Sequence, residues 1–191
     1  MPASTEALLI RPFAEPDRAA LARIYARAFP DKLAAMLDGH VAAGPAIMTA
    51  LVEPADTWVA VRDGAPVGVV CVKDEERPAP GHPLWRVLRR HLPPPAAARA
   101  WLHSWLIHTV SVGPDCLYLD YVAVEPAAQG EGVGGALLEL VIDEARRRGK
   151  TSVGLYVIDR NRAARRLYER HGFVALRSEH LRLFRRVAGF R

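Results

Sequence analysis

A glycine-rich segment, QGEGVGG at residues 129–135, constrains the fold of this chain more than any other feature. It lies between a β-rich run, Leu117–Val124, and a mostly apolar helical pattern, Gly132–Arg148. Glycine lets a backbone approach a ligand closely, and a helix N-terminus presents unpaired N–H groups at the positive end of the helix dipole. The segment therefore predicts an anion site, best suited to phosphate. The alternative is a glycine-rich turn without a ligand.

The elements around this segment predict an α/β fold with a parallel strand pair. Val153–Ile158 has the pattern of a strand and Asn161–His171 that of a helix, and a strand–helix–strand order makes the two strands parallel with a right-handed crossover. Upstream, the pattern predicts a strand, two helical stretches and a β-hairpin: residues 7–13, a helix between Pro16 and Pro30, Leu33–Val41 with a break near Gly44-Pro45, and Thr57–Arg62 with Pro66–Val72.

Residues 74–116 differ from both flanking regions. They contain two helical stretches, Leu84–Leu92 and Ala96–His108, separated by three consecutive prolines. Three tryptophans in this region argue against a flexible linker, because linkers are poor in large aromatic residues: Trp85, Trp101 and Trp105. We interpret residues 74–116 as a helical insertion that covers the core of a single domain, residues 1–191.

Two other classes of function follow from the residues alone. The spacing Gly130-x-Gly132-x-x-Gly135 matches the dinucleotide-binding fingerprint of oxidoreductases, with Asp159 as the ribose-binding acid. Against this, residues 125–129 separate the strand from the first glycine, where the fingerprint has none. Residues 146–191 hold thirteen Arg and one Lys against three acidic residues, a net charge of +11, whereas residues 1–145 carry −6. Such a basic region suits nucleic acid or a cofactor with several phosphates.

Two linked motifs make the prediction more specific. The run LDYVAVEPAAQGEGVGGALL is followed by Asn161-x-x-Ala164-x-x-Leu167-Tyr168-x-x-x-Gly172-Phe173, and together they resemble the GNAT family of N-acetyltransferases. The family pattern Gln/Arg-x-x-Gly-x-Gly/Ala is matched by Gln129, Gly132 and Gly134. The resemblance is strong over residues 117–173 and looser over 7–72. It implies a single mixed, centrally splayed β-sheet flanked by helices, with acetyl-CoA lying in the gap between two strands.

The resemblance also implies roles for individual residues. Main-chain groups of Val122, Ala123 and Val124 would bind the pantetheine arm of acetyl-CoA. Tyr168 would protonate the leaving thiolate. Asn161 precedes Tyr168 by seven residues, so both lie on nearly the same side of the helix, and Asn161 would bind the cofactor, cap the helix, or do both. The pyrophosphate would lie on the amides of Gln129, Gly130, Glu131, Gly132, Val133, Gly134 and Gly135.

The reaction implied by the family is direct attack of a primary amine on the thioester, which requires a base. Asp120 is the obvious carboxylate near the centre of the site strand, and its neighbours Leu119 and Tyr121 are expected on the opposite face. A half-buried aspartate can act as a base through water. The alternative is a structural Asp120 that bonds to the backbone or to an arginine. Glu53 and Tyr121 are weaker candidates for the base.

Composition sets further expectations. No apolar run approaches the ~20 residues of a membrane helix, and the N-terminus lacks the pattern of a signal peptide. Cys71 and Cys116 form no CxxC pair, which is typical of a reduced, cytoplasmic protein. His103 and His108 are five apart, unsuitable for a helical metal pair, so no metal is expected. The expected partner is a small-molecule or peptide amine rather than nucleic acid. The protein is expected to be a monomer or a homodimer. Its last strand is expected to include Leu181–Phe184.

Overall fold

The computed structural model describes residues 7–52, 56–74, 82–107, 113–157 and 161–176. One mixed sheet of five strands forms its centre, in the order β1 to β5. The first four strands pair antiparallel, and the last pair, β4 with β5, is parallel. This confirms the mixed α/β fold expected from the sequence. The strands are β1 Leu9–Pro12, β2 Thr57–Arg62, β3 Ala65–Lys73, β4 Cys116–Val124 and β5 Ser152–Gly154.

Helices cover both faces of this sheet. The apolar side chains of β2 and β3 alternate between the faces: Val59 and Val69 pack on α1, whereas Ala60 and Val70 pack on α6. The short helices α2 and α3 and the insertion helices α4 and α5 then pack around α1. The helices are α1 Arg18–Ala28, α2 Pro30–Met36, α3 Gly44–Leu51, α4 His82–His91, α5 Pro94–Ile107, α6 Val133–Arg147 and α7 Arg162–Arg170.

The β2–β3 hairpin packs closely against the first turn of α6. Its turn has positive φ at both Asp63 (50°) and Gly64 (72°), as the favoured two-residue hairpin turn requires. Further along β3, a Cβ on Gly68 would lie 2.9 Å from Cγ1 of Val133. The missing side chain therefore lets the first turn of α6 lie directly against the sheet.

The sequence prediction around Gly44 was wrong. Gly44-Pro45 was expected to break a helix, but α3 begins there, and the expected Leu33–Val41 helix is α2, which ends at Met36. Proline is well accommodated in the first turn of a helix, where its missing N–H would have no partner. Ile47 of α3 is fully buried among the residues of α1 and the insertion.

The insertion packs as an integral part of the helical layer. Leu84 and Leu88 of α4, and Leu92 directly after it, are buried with residues of α1 to α3 in one apolar cluster. Both ends of the insertion are held at one point, because Lys150 pairs with Asp74 and its ammonium donates to the Pro114 carbonyl at 2.8 Å. Trp85 and Trp101 of the insertion remain 37% and 38% exposed, and their rings meet edge to face with centroids 6.4 Å apart.

Truncating one residue of this cluster will test whether the insertion stabilises the fold. Leu88 is 1% exposed, so Leu88→Ala should lower the free energy of unfolding by about 3 kcal/mol, the cost of an apolar cavity. Arg90→Ala, an exposed change on the same helix, should alter it by less than about 0.5 kcal/mol. Urea denaturation of both variants measures the difference. Equal stabilities would mean that α4 contributes no core.

The last pair of strands, β4 and β5, separates after a short contact. The parallel ladder runs only from Cys116↔Ser152 to Tyr118↔Gly154. The predicted strand Val153–Ile158 is therefore too long: β5 ends at Gly154, because the chain then leaves β4. Within the described residues, β4 and β5 therefore diverge beyond Tyr118 and Gly154.

Several expectations fall on residues outside the described ranges. They concern Glu53, Asp159, His108 and the strand Leu181–Phe184. Among the helices of the described ranges, none has the length and apolar character needed to cross a bilayer.

Candidate active site

The gap between β4 and β5 forms a slot with one main-chain wall. From Leu119 to Val124, β4 pairs with β3 on one edge, and within the described residues no strand pairs with its other edge. Residues of a strand direct their N–H and C=O groups alternately to the two edges, so some of these groups face the gap. Apolar side chains pack beside the slot from β4, from the residue after β5 and from α7: Val122, Val124, Leu155, Leu167 and Tyr168.

The glycine segment lies at one end of this slot. Gly130 and Gly132 both have φ of +84°, and Gly132 is the N-cap of α6. By helix geometry, the amides of Val133, Gly134 and Gly135 have no carbonyl in a preceding turn, so they are available to an anion. Upstream, the Gln129 side chain donates from Nε2 to the Val124 carbonyl at 3.2 Å, which fixes the segment to the end of β4.

Close packing also explains why residue 134 is a glycine. A Cβ there would lie 3.2 Å from Cδ2 of Leu167 and 3.8 Å from Cγ2 of Val124. The first turn of α6 therefore approaches both α7 and β4 closely. Glu131 would repel an anion at this place, but its carboxylate pairs with Arg62 of β2. The residue types and geometry of the segment fit a phosphate group.

Asp120 lies in a β-bulge, which the sequence did not indicate. Cys71 pairs with Tyr121 and the next residue, Val72, pairs with Leu119, so Asp120 is the extra residue of β4. The expectation that Leu119 and Tyr121 share a face was wrong, because alternation restarts at the bulge. Leu119 is buried on the α6 side, whereas Tyr121 meets Tyr25 of α1 edge to face at 5.0 Å.

The carboxylate of Asp120 has a cation beside it on the neighbouring strand. Lys73 Nζ lies 2.8 Å from Asp120 Oδ2, with both side chains about a quarter to a third exposed, 26% for Asp120 and 33% for Lys73. Burial raises the pKa of the nearby Tyr121 well above its usual range, with further contributions from Cys71 and Asp120. Tyr121 is therefore neutral at physiological pH.

Tyr118 is the last residue of β4 that pairs with β5, so it lies where the two strands separate. Burial raises the pKa of Tyr118 strongly, and electrostatic interactions with Asp120, Tyr156 and Tyr168 raise it further. Burial also raises the pKa of Tyr168, so its hydroxyl keeps its proton at neutral pH and can donate it. Both side chains predicted to move protons thus interact electrostatically with Tyr118.

Asn161 caps α7. Its Oδ1 accepts from the amide of Ala164 at 3.0 Å, which is the capping role expected from the sequence. Arg162, Arg165 and Arg166 lie beyond it on the exposed side of α7, around a shallow depression shared with Glu169.

Sequence reasoning did not assign four polar side chains to this region, and it considered one of them, His103, only as an unsuitable metal ligand. The four are Lys32 of α2, Lys73 of β3, His103 of α5 and Tyr118 of β4. Strand alternation could have grouped Tyr118 with Asp120. The other three come from separate elements, so only the tertiary packing brings them together.

Known proteins share the sequence pattern and the fold of this chain. The family model described as Acetyltransferase (GNAT) family matches residues 18–173. The chain belongs to the GNAT acetyltransferase family. The matched range takes in β2 to β5, the glycine segment and α7, so the family covers most of the chain.

Individual relatives of this GNAT protein match over shorter stretches. A mycothiol acetyltransferase of Beutenbergia cavernae is 48% identical over 52 residues, 27% of this chain and 18% of that protein. The ribosomal protein bS18-alanine N-acetyltransferase of Escherichia coli is also 48% identical over 52 residues, 27% of this chain and 35% of that protein. The matches thus span about a fifth to a third of the length of these curated relatives.

Solved structures share the fold over nearly the whole chain. An aminoglycoside N-acetyltransferase, AAC(6')-Iy, crystallised with CoA, superposes with a TM-score of 0.54. The superposition covers 94% of this chain and 99% of that one, at 15% sequence identity. At this identity the likeness concerns the fold: a mixed sheet flanked by helices.

Proposed function

We propose that this GNAT protein is an acetyl-CoA-dependent N-acetyltransferase that acts on a primary amine. One observation carries the proposal: within the described residues, the edge of β4 left unpaired beyond Tyr118 runs from that residue, which interacts electrostatically with Tyr168 and Asp120, toward the glycine segment at the N-terminus of α6. CoA is long, narrow and anionic at one end, and its thioester is at the other. The order of groups along the slot matches the order of groups along the cofactor.

Each part of the cofactor has a counterpart along this slot. The gap-facing main-chain groups of Val122, Ala123 and Val124 bind the amides of the pantetheine arm, as the family resemblance implies. The pyrophosphate lies on the amides of residues 129–135, at the positive end of α6. Asn161 lies at the N-terminus of α7, close to Arg162 and Arg165, where cations can face the remaining phosphate.

The chemistry needs two proton transfers in addition to acyl transfer. The amine nitrogen attacks the thioester carbonyl carbon, a C–N bond forms, the C–S bond breaks, and the electron pair leaves with sulfur. Asp120 takes the proton that the amine loses, directly or through a water molecule. Tyr168 donates its hydroxyl proton to the departing thiolate. A main-chain N–H of β4 stabilises the charge that develops on the carbonyl oxygen.

Replacing Asp120 separates a catalytic role from a role in the Lys73 ion pair. Asp120→Asn keeps the shape of the side chain but removes the base, so the rate of acetyl transfer at pH 7 should fall by about 100-fold. Lys73→Met breaks the same ion pair and should reduce the rate less than about fivefold. Single-turnover kinetics of both variants provide the comparison. Equal losses would reassign Asp120 to a structural role.

Two measurements test the proposal as a whole. Calorimetric titration should show binding of acetyl-CoA and CoA, but not of NAD(H) or duplex DNA, which the alternative functions would require. Acetyl-CoA with a panel of primary amines should then release CoA thiol in step with formation of an amide. Absence of acetyl-CoA binding at millimolar concentration would refute the proposal, as would binding without transfer to any amine of the panel.

A further inference from the structure

His103 of α5 is a buried polar residue that has no hydrogen-bond partner among the described residues. It is 7% exposed, and among the residues that the structure describes, neither of its ring nitrogens has a hydrogen-bond partner. Folded proteins rarely leave such groups unsatisfied, because burial removes their bonds to water and nothing replaces them. A buried imidazole of this kind is therefore expected to meet a ligand or an ordered water molecule.

His103 lies on the side of α5 that packs against the helical layer rather than on its solvent side. Ala96, Ala100 and His103 follow one another at helical spacing on the buried side of α5, the side that packs toward α1–α3. Lys32 of α2 is close enough for its charge to act on His103. Burial, together with this charge, lowers the pKa of the imidazole, which is neutral at pH 7 as a result.

Lys32 connects His103 to the bulge of β4. Its ammonium lies 5.6 Å from the ring centroids of both Tyr25 and Phe29, and Tyr25 in turn contacts Tyr121 beside Asp120. Burial lowers the pKa of Lys32, but its interactions with Tyr25 and Asp120 outweigh that effect and the pKa is raised overall. Lys32 therefore remains a cation.

The charges of this group do not balance. Asp120 has a close partner in Lys73, at 2.8 Å, whereas within the described ranges Lys32 has no ion-pair partner of its own and interacts with Asp120 only at longer range. Two ammonium groups, of Lys73 and Lys32, thus interact with the single carboxylate of Asp120. The excess charge and the N–H donor of His103 are complementary to an anion, while Asp120 is complementary to an amine.

We propose that His103 and Lys32 bind a carboxylate of the acceptor while its amine faces Asp120, so that the acceptor is an amine carrying a carboxylate, such as an amino acid. This inference rests on the proposed acetyl transfer and names the acceptor class of the same site. It gives the insertion a specific role, because α5 supplies one of the two groups that recognise the carboxylate.

Matched pairs of amines test the proposal directly. Each of several amino acids is compared with its amide and with its decarboxylated amine, by kcat/KM at fixed acetyl-CoA concentration. We expect the amino acid to be preferred by at least tenfold, and Lys32→Gln to reduce this preference to about threefold or less. Arg90→Gln, an exposed cation of the same insertion, should keep the full preference. Equal use of the three amines, or a preference that survives Lys32→Gln, overturns the proposal.

His103→Leu provides a second, independent readout. If His103 is kept for a ligand, removing an unsatisfied buried polar group should raise Tm, while KM for the amino acid rises at least tenfold. If His103 instead stabilises the fold, His103→Leu should lower Tm. A lower Tm, or an unchanged KM in the folded variant, would overturn the proposal.

Binding separates failure of this inference from failure of the proposed function. Calorimetry of the CoA complex with the best amino acid of the panel detects recognition even where no acetyl group moves. Binding that depends on Lys32 without transfer would support the inference and refute the acetyltransferase proposal. Efficient acetylation of amines without a carboxylate would do the reverse. Absence of binding by every amino acid tested would overturn the inference.

Discussion

Gly134→Asp should weaken acetyl-CoA binding by about 100-fold or more. The substitution places a carboxylate in the first turn of α6, beside the amides proposed to hold the pyrophosphate. Two like charges about 4 Å apart repel by roughly 4 kcal/mol at an effective dielectric constant near 20. Even half of that energy corresponds to more than one order of magnitude in affinity.

Gly134→Ala is the matched control for this change. Both variants bring a Cβ within 3.2 Å of Leu167 Cδ2, so both require the same small shift of a flexible side chain. Only the aspartate adds charge. Calorimetric titration should show a loss of less than about fivefold for Gly134→Ala. Similar losses for the two variants would mean that packing, and not an anion site, explains this glycine.

Tyr168→Phe should slow acetyl transfer by about 100-fold while leaving the fold and the affinity for acetyl-CoA nearly unchanged. The phenyl ring keeps its packing against Phe173, where the ring centroids are 5.7 Å apart, but the proton donor is lost. General-acid catalysis typically contributes 10²–10⁴-fold. Loss of one hydrogen bond should cost no more than about 1–2 kcal/mol of stability.

Tyr156→Phe is the control for the hydroxyl. Its ring lies 6.3 Å from that of Tyr118, so this hydroxyl is also close to the site, but 59% of the residue is exposed. The chemical step should be measured in a single turnover, because product release can mask it in steady state. A chemical rate for Tyr168→Phe equal to that of Tyr156→Phe would assign Tyr168 to packing and leave water as the acid.

Local signals in the sequence predicted the elements that form the proposed cofactor site. The glycine segment, β4, α6 and α7 follow from short-range periodicity, capping and turn residues, which act within a few positions of the chain. Asn161 was expected as a cap and caps α7 through Ala164. The GNAT resemblance rests on the same residues, and the family match confirms it.

The acceptor half depended on contacts that are distant in the sequence. The bulge at Asp120 arises from the register of β3 against β4, and no residue of β4 alone indicates it. The end of β5 at Gly154 is likewise a property of two strands that diverge. His103 and Lys32 are 71 positions apart, and their relation follows from the packing of the insertion on α2. Non-local pairings of this kind leave no periodic signal in one sequence.

The contacts of Lys150 with both ends of the insertion have a consequence for protein engineering. Lys150, which follows α6, contacts both Asp74 and Pro114, so it holds the two attachment points of the insertion close together. Because the entropy of closing a loop grows only slowly with its length, the length of the chain between these points matters little, but any replacement must also bury the apolar surface of α1 to α3 that Leu84 and Leu88 now cover. Redesign of residues 75–113 would therefore change core packing and the proposed acceptor recognition together, while leaving the strands proposed to bind the cofactor unaltered.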